Sequence, residues 1–259
     1  MTSSRPDGEV SSVAYDRVAP SYHAARGLSL EALEGWRQAV APYLGSAPAL
    51  PVVDVGSGTG TFARAFAEWF GVCVVGIEPS AAMRDQAELR SAHPNIVYRA
   101  GSAEAIPLPP ASASSAWLST VIHHVADLGA AARELRRTIV AGAPVLIRSA
   151  FPGRLDGITL FRFFPGARKV AETFPTIDRV GEAFAATGFR IEHVEDVPQV
   201  SAPNLRAFAK ALTTARLADS TLVALDQVDF DRGLTAVRAV AREVEAAPVV
   251  DRLTLVVLR

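Results

Sequence analysis

The sequence predicts an α/β fold, a mostly parallel sheet with helices on both faces, and three observations carry that prediction. Short β-rich apolar runs alternate with helically spaced segments over the first 150 residues; each helix then acts as the crossover that returns the chain to a parallel strand. One stretch, VVDVGSGTGTFARAFAEWFGVCVVGIE from Val52 to Glu78, reads as strand, glycine turn, helix, strand and acid, the order of a nucleotide-binding βαβ unit. Hydrophobic residues make up 49% of the 259, enough to cover both faces of a large sheet.

In chain order, residues 1–9 are polar, and VAYDRVAPSYHAARGL places Tyr15 and Tyr22 on a short helical arm. Apolar residues at helical spacing from Leu28 to Leu44 predict a helix on the sheet. Strand one is Val52 to Val55. Gly56, Gly58 and Gly60 follow because a strand that turns into a helix within a few residues needs backbone open only to glycine. Strand two is Val72 to Ile77. After it, Ser80 is the expected N-cap of the next helix. Strands are predicted at Asn95–Arg99, Ala116–Val121, Pro144–Ser149, Phe189–Val197 and Val249–Leu258, with helices at Ala130–Ile139 and Thr176–Thr187, the latter stopped by Gly188. Phe151–Pro175 breaks the alternation with phenylalanine, glycine, proline and arginine. Asn204–Ala246 is a long helical stretch with a break near Asp226–Asp231.

Composition narrows the function classes. Net charge is −1 with no basic block, so neither nucleic acid nor a membrane surface is the expected partner. No apolar run approaches the ~20 residues of a membrane helix, and the N-terminus lacks the apolar core of a signal peptide, so a soluble cytoplasmic protein is expected. The one cysteine, Cys73, sits within an apolar run, which leaves no disulfide framework or metal cluster built on cysteine.

The turn Asp54-Val55-Gly56-Ser57-Gly58-Thr59-Gly60 resembles the DxGxGTG turn of the class I S-adenosylmethionine-dependent methyltransferases, in their small-molecule group. Four further pieces match in order: the YDRVAPSY arm, Glu78-Pro79-Ser80, Gly101-Ser102-Ala103-Glu104, and STVIHHV at 119–125. The similarity covers about Tyr15 to Ser149. It implies a Rossmann-like, seven-stranded sheet with the last strand antiparallel. The parts it implies are an arm over 1–27, a cofactor-binding core over 28–150, a lid over 151–175, and the rest of the core over 176–259 with a helical insertion at about 204–246.

It also implies site roles. The backbone of Gly56, Ser57, Gly58 and Gly60 would lie along the methionine portion of S-adenosyl-L-methionine, with Asp54 orienting the turn or meeting the amino group. Glu78, 20 residues beyond Gly58, would accept from both ribose hydroxyls, with Pro79 beside it. Ser102, Ala103 and Glu104 would meet the adenine, although family members often carry aspartate where this chain has Ser102. Ser119 would complete the cofactor wall. Tyr15 and Tyr22 would close over the cofactor or pack on the domain surface. His123 and His124 are the candidate general base, or a wall-and-packing pair; as neighbours on an extended segment they would point to opposite sides and could not share a metal, and no metal is expected. Arg154, Phe161 and Phe164 are candidate acceptor contacts in the lid segment, which could equally close a small core of its own.

The predicted reaction is methyl transfer to a small, partly apolar or aromatic acceptor, releasing S-adenosyl-L-homocysteine, by a monomer or homodimer. A dinucleotide dehydrogenase is the rival, but its fingerprint needs glycine or alanine where Thr61 stands. Two alternatives keep the cofactor: a methyltransferase-like protein that catalyses cyclisation or rearrangement, and a non-catalytic binding module.

Overall fold

The computed structural model describes residue 19, residues 28–44 and residues 49–259. Tyr15 and Tyr22 lie outside the described residues. Helix α1 (Glu34–Leu44) precedes β1 (Val52–Val55), α2 (Thr61–Phe70), β2 (Val74–Ile77), α3 (Ala81–Arg90), β3 (Ile96–Arg99) and β4 (Ser115–Ser119). A 3-10 turn at Ile122–His124 leads to α4 (Leu128–Thr138) and β5 (Val145–Ser149). Next come α5 (Thr159–Phe163), α6 (Pro165–Ala171), α7 (Ile177–Ala185) and β6 (Ile191–Ala202). The chain closes with α8 (Leu205–Ala215), α9 (Ser220–Val223), α10 (Gln227–Glu243) and β7 (Val249–Leu258).

The seven strands form one sheet in the order β3-β2-β1-β4-β5-β7-β6. Pairs among β1 to β5 are parallel, and β7 runs antiparallel to both β5 and β6, as the resemblance implied. Strand order reverses between β1 and β4, and a crevice opens there at the carboxyl ends, where such sheets hold ligands.

The period-2 alternation of each strand divides the core. Val52, Val74, Trp117, Leu146, Leu255 and Val257 face one side, with α1, α2 and α8; Val53, Val55, Ala116, Leu118, Ile147 and Val256 face the other, with α4 and α7. On the first side, Trp117 is ringed by Trp36 at 5.8 Å, Phe62 at 4.8 Å and Phe66 at 5.2 Å between centroids. Each such side chain contributes about 1.5–3 kcal/mol by burial, and each aromatic pair about 0.5–1.5 kcal/mol more. Helix α1 reaches the sheet at Gly35, where a Cβ would overlap the carbonyl oxygen of Pro198.

Caps fix the helix starts. Ser80 Oγ accepts from Met83 N at 3.1 Å, as expected, and Asp127, Thr176, Asn204 and Asp226 cap α4, α7, α8 and α10. Several boundaries differ from the sequence reading. Strand β4 stops at Ser119 because Thr120 turns with φ +53. Strand β6 runs through Pro198 to Ala202; as the edge strand it tolerates a residue without an N–H. The stretch 204–246 is three helices, with breaks at 216–219 and 224–226. Cys73 precedes β2 and is exposed rather than inside an apolar strand.

Candidate functional site

The crevice begins where β1 gives way to its glycine turn. Gly56 and Gly58 take φ +70 and +54, backbone that L side chains avoid. They differ in what a side chain would meet. A Cβ at Gly56 would strike Val121, whereas at Gly58 nothing lies within 4 Å, so the Gly58 main chain faces open space. Gly60, at φ +81, starts α2 and backs onto Tyr98.

Asp54 stands one residue before the strand end, only 2% exposed. Burial, and secondly the negative charge of Glu78, push its carboxyl up to about 7, against an opposing hydrogen bond from the Ala63 backbone. Its Oδ2 is buried without a hydrogen-bond partner, as is Ser57 Oγ. A buried orphan oxygen costs about 1–3 kcal/mol, so both atoms suit a ligand that brings donors, an ammonium above all. Glu78 is buried at the end of β2. Its Oε2 accepts from Gly58 N at 3.0 Å and its Oε1 from Ser80 N at 2.9 Å, which ties the acid to the turn. Beside it, Pro79 O accepts from Arg84 at 2.9 Å.

Ser102 and Ala105 exchange backbone hydrogen bonds of 3.2 Å, which closes a tight loop around buried Ala103 after β3. Glu104 spends Oε1 on the backbone of Ala126 at 3.0 Å, so it braces the approach to α4.

A cavity of about 270 Å³ extends from the glycine turn beneath the later helices. Asp54, Gly56, Ser57, Gly58 and Ser119 line one end; Ile158, Leu160, Phe161, Phe174, Phe208 and Leu212 form the apolar wall. His123 also lines it, on the 3-10 turn. That turn corrects the extended geometry expected of the histidine pair. The two rings lie together, centroids 4.0 Å apart, with His123 stacked on Phe174 at 4.1 Å and 9°. His123 Nε2 shares a hydrogen bond of 3.0 Å with Ser220 Oγ at the start of α9; His124 is not in the cavity wall.

Two of the lid candidates fall elsewhere. Arg154 pairs with Asp196 at 2.9 Å and reaches Thr254, away from the cavity wall, since a half-exposed arginine gains more from that carboxylate than from an apolar interior. Phe164 packs against Gly233 and Phe230; it fills the seam between α6 and α10. Among the described residues, no three His, Cys, Asp or Glu side chains stand together as a metal site.

The sequence reading missed a polar rail on the cavity wall. Arg148 Nη1 donates to Ser119 Oγ at 3.0 Å and Nη2 to Gln199 Oε1 at 2.6 Å. Trp36 Nε1 donates to the same Gln199 oxygen at 3.0 Å. Ser201 Oγ donates to Asp251 Oδ2 at 2.5 Å, and Asp251 Oδ1 accepts from Thr159 N at 2.8 Å. Arg148, Gln199, Ser201 and Asp251 all line the cavity and are spread over β5, β6 and β7. For Arg148 the sequence signal is a charged residue at an inward position of the otherwise mostly apolar β5; Gln199 and Ser201 lie on a strand too polar to give one.

Residues 53–147 match the family model described as "Methyltransferase domain". Over 143 residues the chain is 31% identical to the ubiquinone/menaquinone biosynthesis C-methyltransferase UbiE of Caulobacter vibrioides, covering 51% of this chain. The chain spans 57% of that enzyme's length. It is 29% identical over 201 residues to a malonyl-[acyl-carrier protein] O-methyltransferase of Serratia marcescens, covering 77% of this chain and 74% of the other. Among solved structures, a protein of Anabaena variabilis described as a methyltransferase from an antibiotic biosynthesis pathway superposes with a TM-score of 0.66 at 21% identity, over 90% of this chain and 98% of that one, which establishes the shared fold. Residues 53–147 are thus similar to a methyltransferase domain, and the sheet that carries them has the fold of the Anabaena variabilis structure.

Proposed function

We propose that the protein binds S-adenosyl-L-methionine at the glycine turn and methylates a small, partly apolar acceptor held in the adjoining cavity, releasing S-adenosyl-L-homocysteine. The observation that carries this is the orphan Oδ2 of Asp54 beside the open backbone of Gly58, both in the wall of the cavity that Phe161 and Phe174 roof. The residues fit the cofactor: Asp54 and Ser57 offer unpaired polar atoms to its amino-acid end, and the Glu78 carboxylate, tied to Gly58 and Ser80 at the end of β2, is the acid that would meet ribose hydroxyls. Ala103 and its tight loop would face the adenine.

The bound cofactor supplies a methyl group already activated on a sulfonium. The chain's own residues then have three tasks. The glycine turn and the apolar wall align the reactants, for which near-attack geometry contributes roughly 7–11 kcal/mol. Residues 151–175 and 204–246 act as the lid that excludes water. His123, held by Ser220 and stacked on Phe174, takes up a proton from the acceptor where one must leave. His124 buttresses that ring.

Both sequence relatives are methyltransferases, which favours transfer over the cyclisation and non-catalytic readings. The Caulobacter relative serves quinone biosynthesis, which supports an aromatic acceptor. No helix among the described residues is long and apolar enough to cross a membrane. The test is calorimetric titration with S-adenosyl-L-homocysteine, followed by a screen of phenols, amines and carboxylic acids with methyl-labelled cofactor. Binding plus acceptor-dependent label transfer is expected; no heat of binding, or binding with no labelled acceptor, would overturn the reading.

A further inference from the structure

We propose that the groove between α8 and α10 binds a polyphosphate, two or more linked phosphoryl groups, at a site separate from the cofactor crevice. Neither the groove nor its chemistry depends on the methyltransferase reading.

Helical spacing builds the groove. Arg206, Ala209 and Lys210 stand at i, i+3 and i+4 on one face of α8, and Arg238, Ala241 and Arg242 repeat that spacing on α10. Together they line a recess of about 370 Å³. Arg206 Nε donates to Ala241 O at 3.0 Å, which brings the two faces together. Ala209 and Ala241 are buried, and side chains of a single carbon keep the floor low. The four cations, Arg206, Lys210, Arg238 and Arg242, are exposed. Two come from each helix, so the sequence shows no basic block and only folding gathers the charge.

No acid lines this recess, and α8 contains neither Asp nor Glu. Other helices neutralise their own arginines: Arg64 meets Glu68, Arg137 meets Glu134 and Arg168 meets Glu172, each about one turn away. Among the described residues, none of the four groove cations meets a carboxylate. Glu243 follows Arg242 in sequence, but one residue turns about 100° around a helix, and Glu243 does not line the recess. Arg206 with Lys210, and Arg238 with Arg242, are instead like-charged i,i+4 pairs, which destabilise a helix. An anion bound between the rows relieves both. Guanidinium forks match phosphoryl oxygens two at a time. The two cations of each row stand about 6 Å apart along the axis, so one phosphate serves one turn while linked phosphoryl groups reach both. Such an occupant would clamp α8 to α10 on the face opposite Phe208 and Leu212, which line the acceptor cavity.

The probes are pyrophosphate, orthophosphate and sulfate, titrated by calorimetry at matched ionic strength without divalent metal, and single-stranded oligothymidylate. Native protein should bind one pyrophosphate per chain, about 10-fold or more tightly than orthophosphate or sulfate. That affinity should be the same with and without saturating S-adenosyl-L-homocysteine, and pyrophosphate should raise the melting temperature. Arg238→Gln/Arg242→Gln should weaken pyrophosphate binding about 10-fold or more, as the loss of charge-assisted hydrogen bonds implies. Arg179→Gln/Arg190→Gln removes the same charge from exposed positions outside the groove and should change the affinity less than about twofold. No heat with pyrophosphate, binding no tighter than that of sulfate, or equal weakening in the two double variants would overturn the proposal. So would tighter binding of the oligonucleotide, or competition between pyrophosphate and S-adenosyl-L-homocysteine. Should Arg238→Gln/Arg242→Gln fail to fold, Lys210→Gln decides in its place, with a loss of about threefold or more expected.

Discussion

Glu78 Oε2 accepts the backbone N–H of Gly58 at 3.0 Å, so the acid that ends β2 and the middle glycine of the turn after β1 form one hydrogen-bonded unit. The same carboxylate holds Ser80 N and thereby sets the start of α3. Changing Glu78 to glutamine leaves one amide oxygen where two carboxylate oxygens served both donors. Loss of charge-assisted bonds worth about 1.5–3 kcal/mol should weaken S-adenosyl-L-homocysteine binding roughly 10- to 100-fold, with the melting temperature lowered by only a few degrees. Gly58→Val should abolish binding, since any side chain there enters the cavity at a positive φ. Affinity near native in both variants, by calorimetry, would remove the cofactor from this turn.

Asp54 gives a pH signature. Its carboxyl is raised from 3.8 to about 7, by burial first and Glu78 second. Between those values the folded protein binds more protons than the unfolded chain. Stability is therefore fullest below about 4 and falls as pH rises toward 7, by up to about 1.4 kcal/mol per unit from this group. Urea unfolding across pH should show that slope reduced in Asp54→Asn. A ligand ammonium favours the ionised form, so cofactor-product affinity of the native protein should climb with pH up to about 7 and then flatten, and the variant should lack the climb.

His123 and His124 separate by position. His123 lines the cavity and His124 does not. His123→Ala should lower kcat by about 10²-fold or more while cofactor affinity holds. His124→Ala should lower kcat far less. A matching loss of cofactor affinity in His123→Ala would make the residue a packing element instead.

Gly35→Ala tests the seam between α1 and β6. Alanine is the better helix former by up to about 1 kcal/mol, yet its Cβ would overlap Pro198 O, which is backbone and cannot step aside. Overpacking of about 1–3 kcal/mol wins, and chemical denaturation should show net destabilisation. Because Pro198 adjoins Gln199, the variant should also weaken the hold on Arg148.

The glycine turn, the sheet and the likeness to a methyltransferase domain were legible because each is written in local sequence. A positive φ favours glycine, alternation marks a strand, and Ser80 stands where a cap must. Arg148 was not legible. Period 2 places its side chain on an inward face, but only the folding of β6 and β7 beside β5 supplies Gln199 and Asp251 as its surroundings. Arg154 misled for the converse reason: its composition suggested anion binding, and Asp196, 42 residues later, had already taken it. The strand expected at Phe189–Val197 runs on through Pro198 to Ala202, which sequence alone does not show because it does not tell an edge from a centre.

Cys73 is exposed, and its carbonyl accepts from Val52 N at 2.9 Å, at the amino-terminal edge of the sheet. Four residues of β1, about 13 Å of strand, separate it from the glycine turn. A thiol-reactive fluorophore attached there would be the sole label on the native chain, and it would report ligand capture by its anisotropy or quenching while leaving the binding pocket untouched.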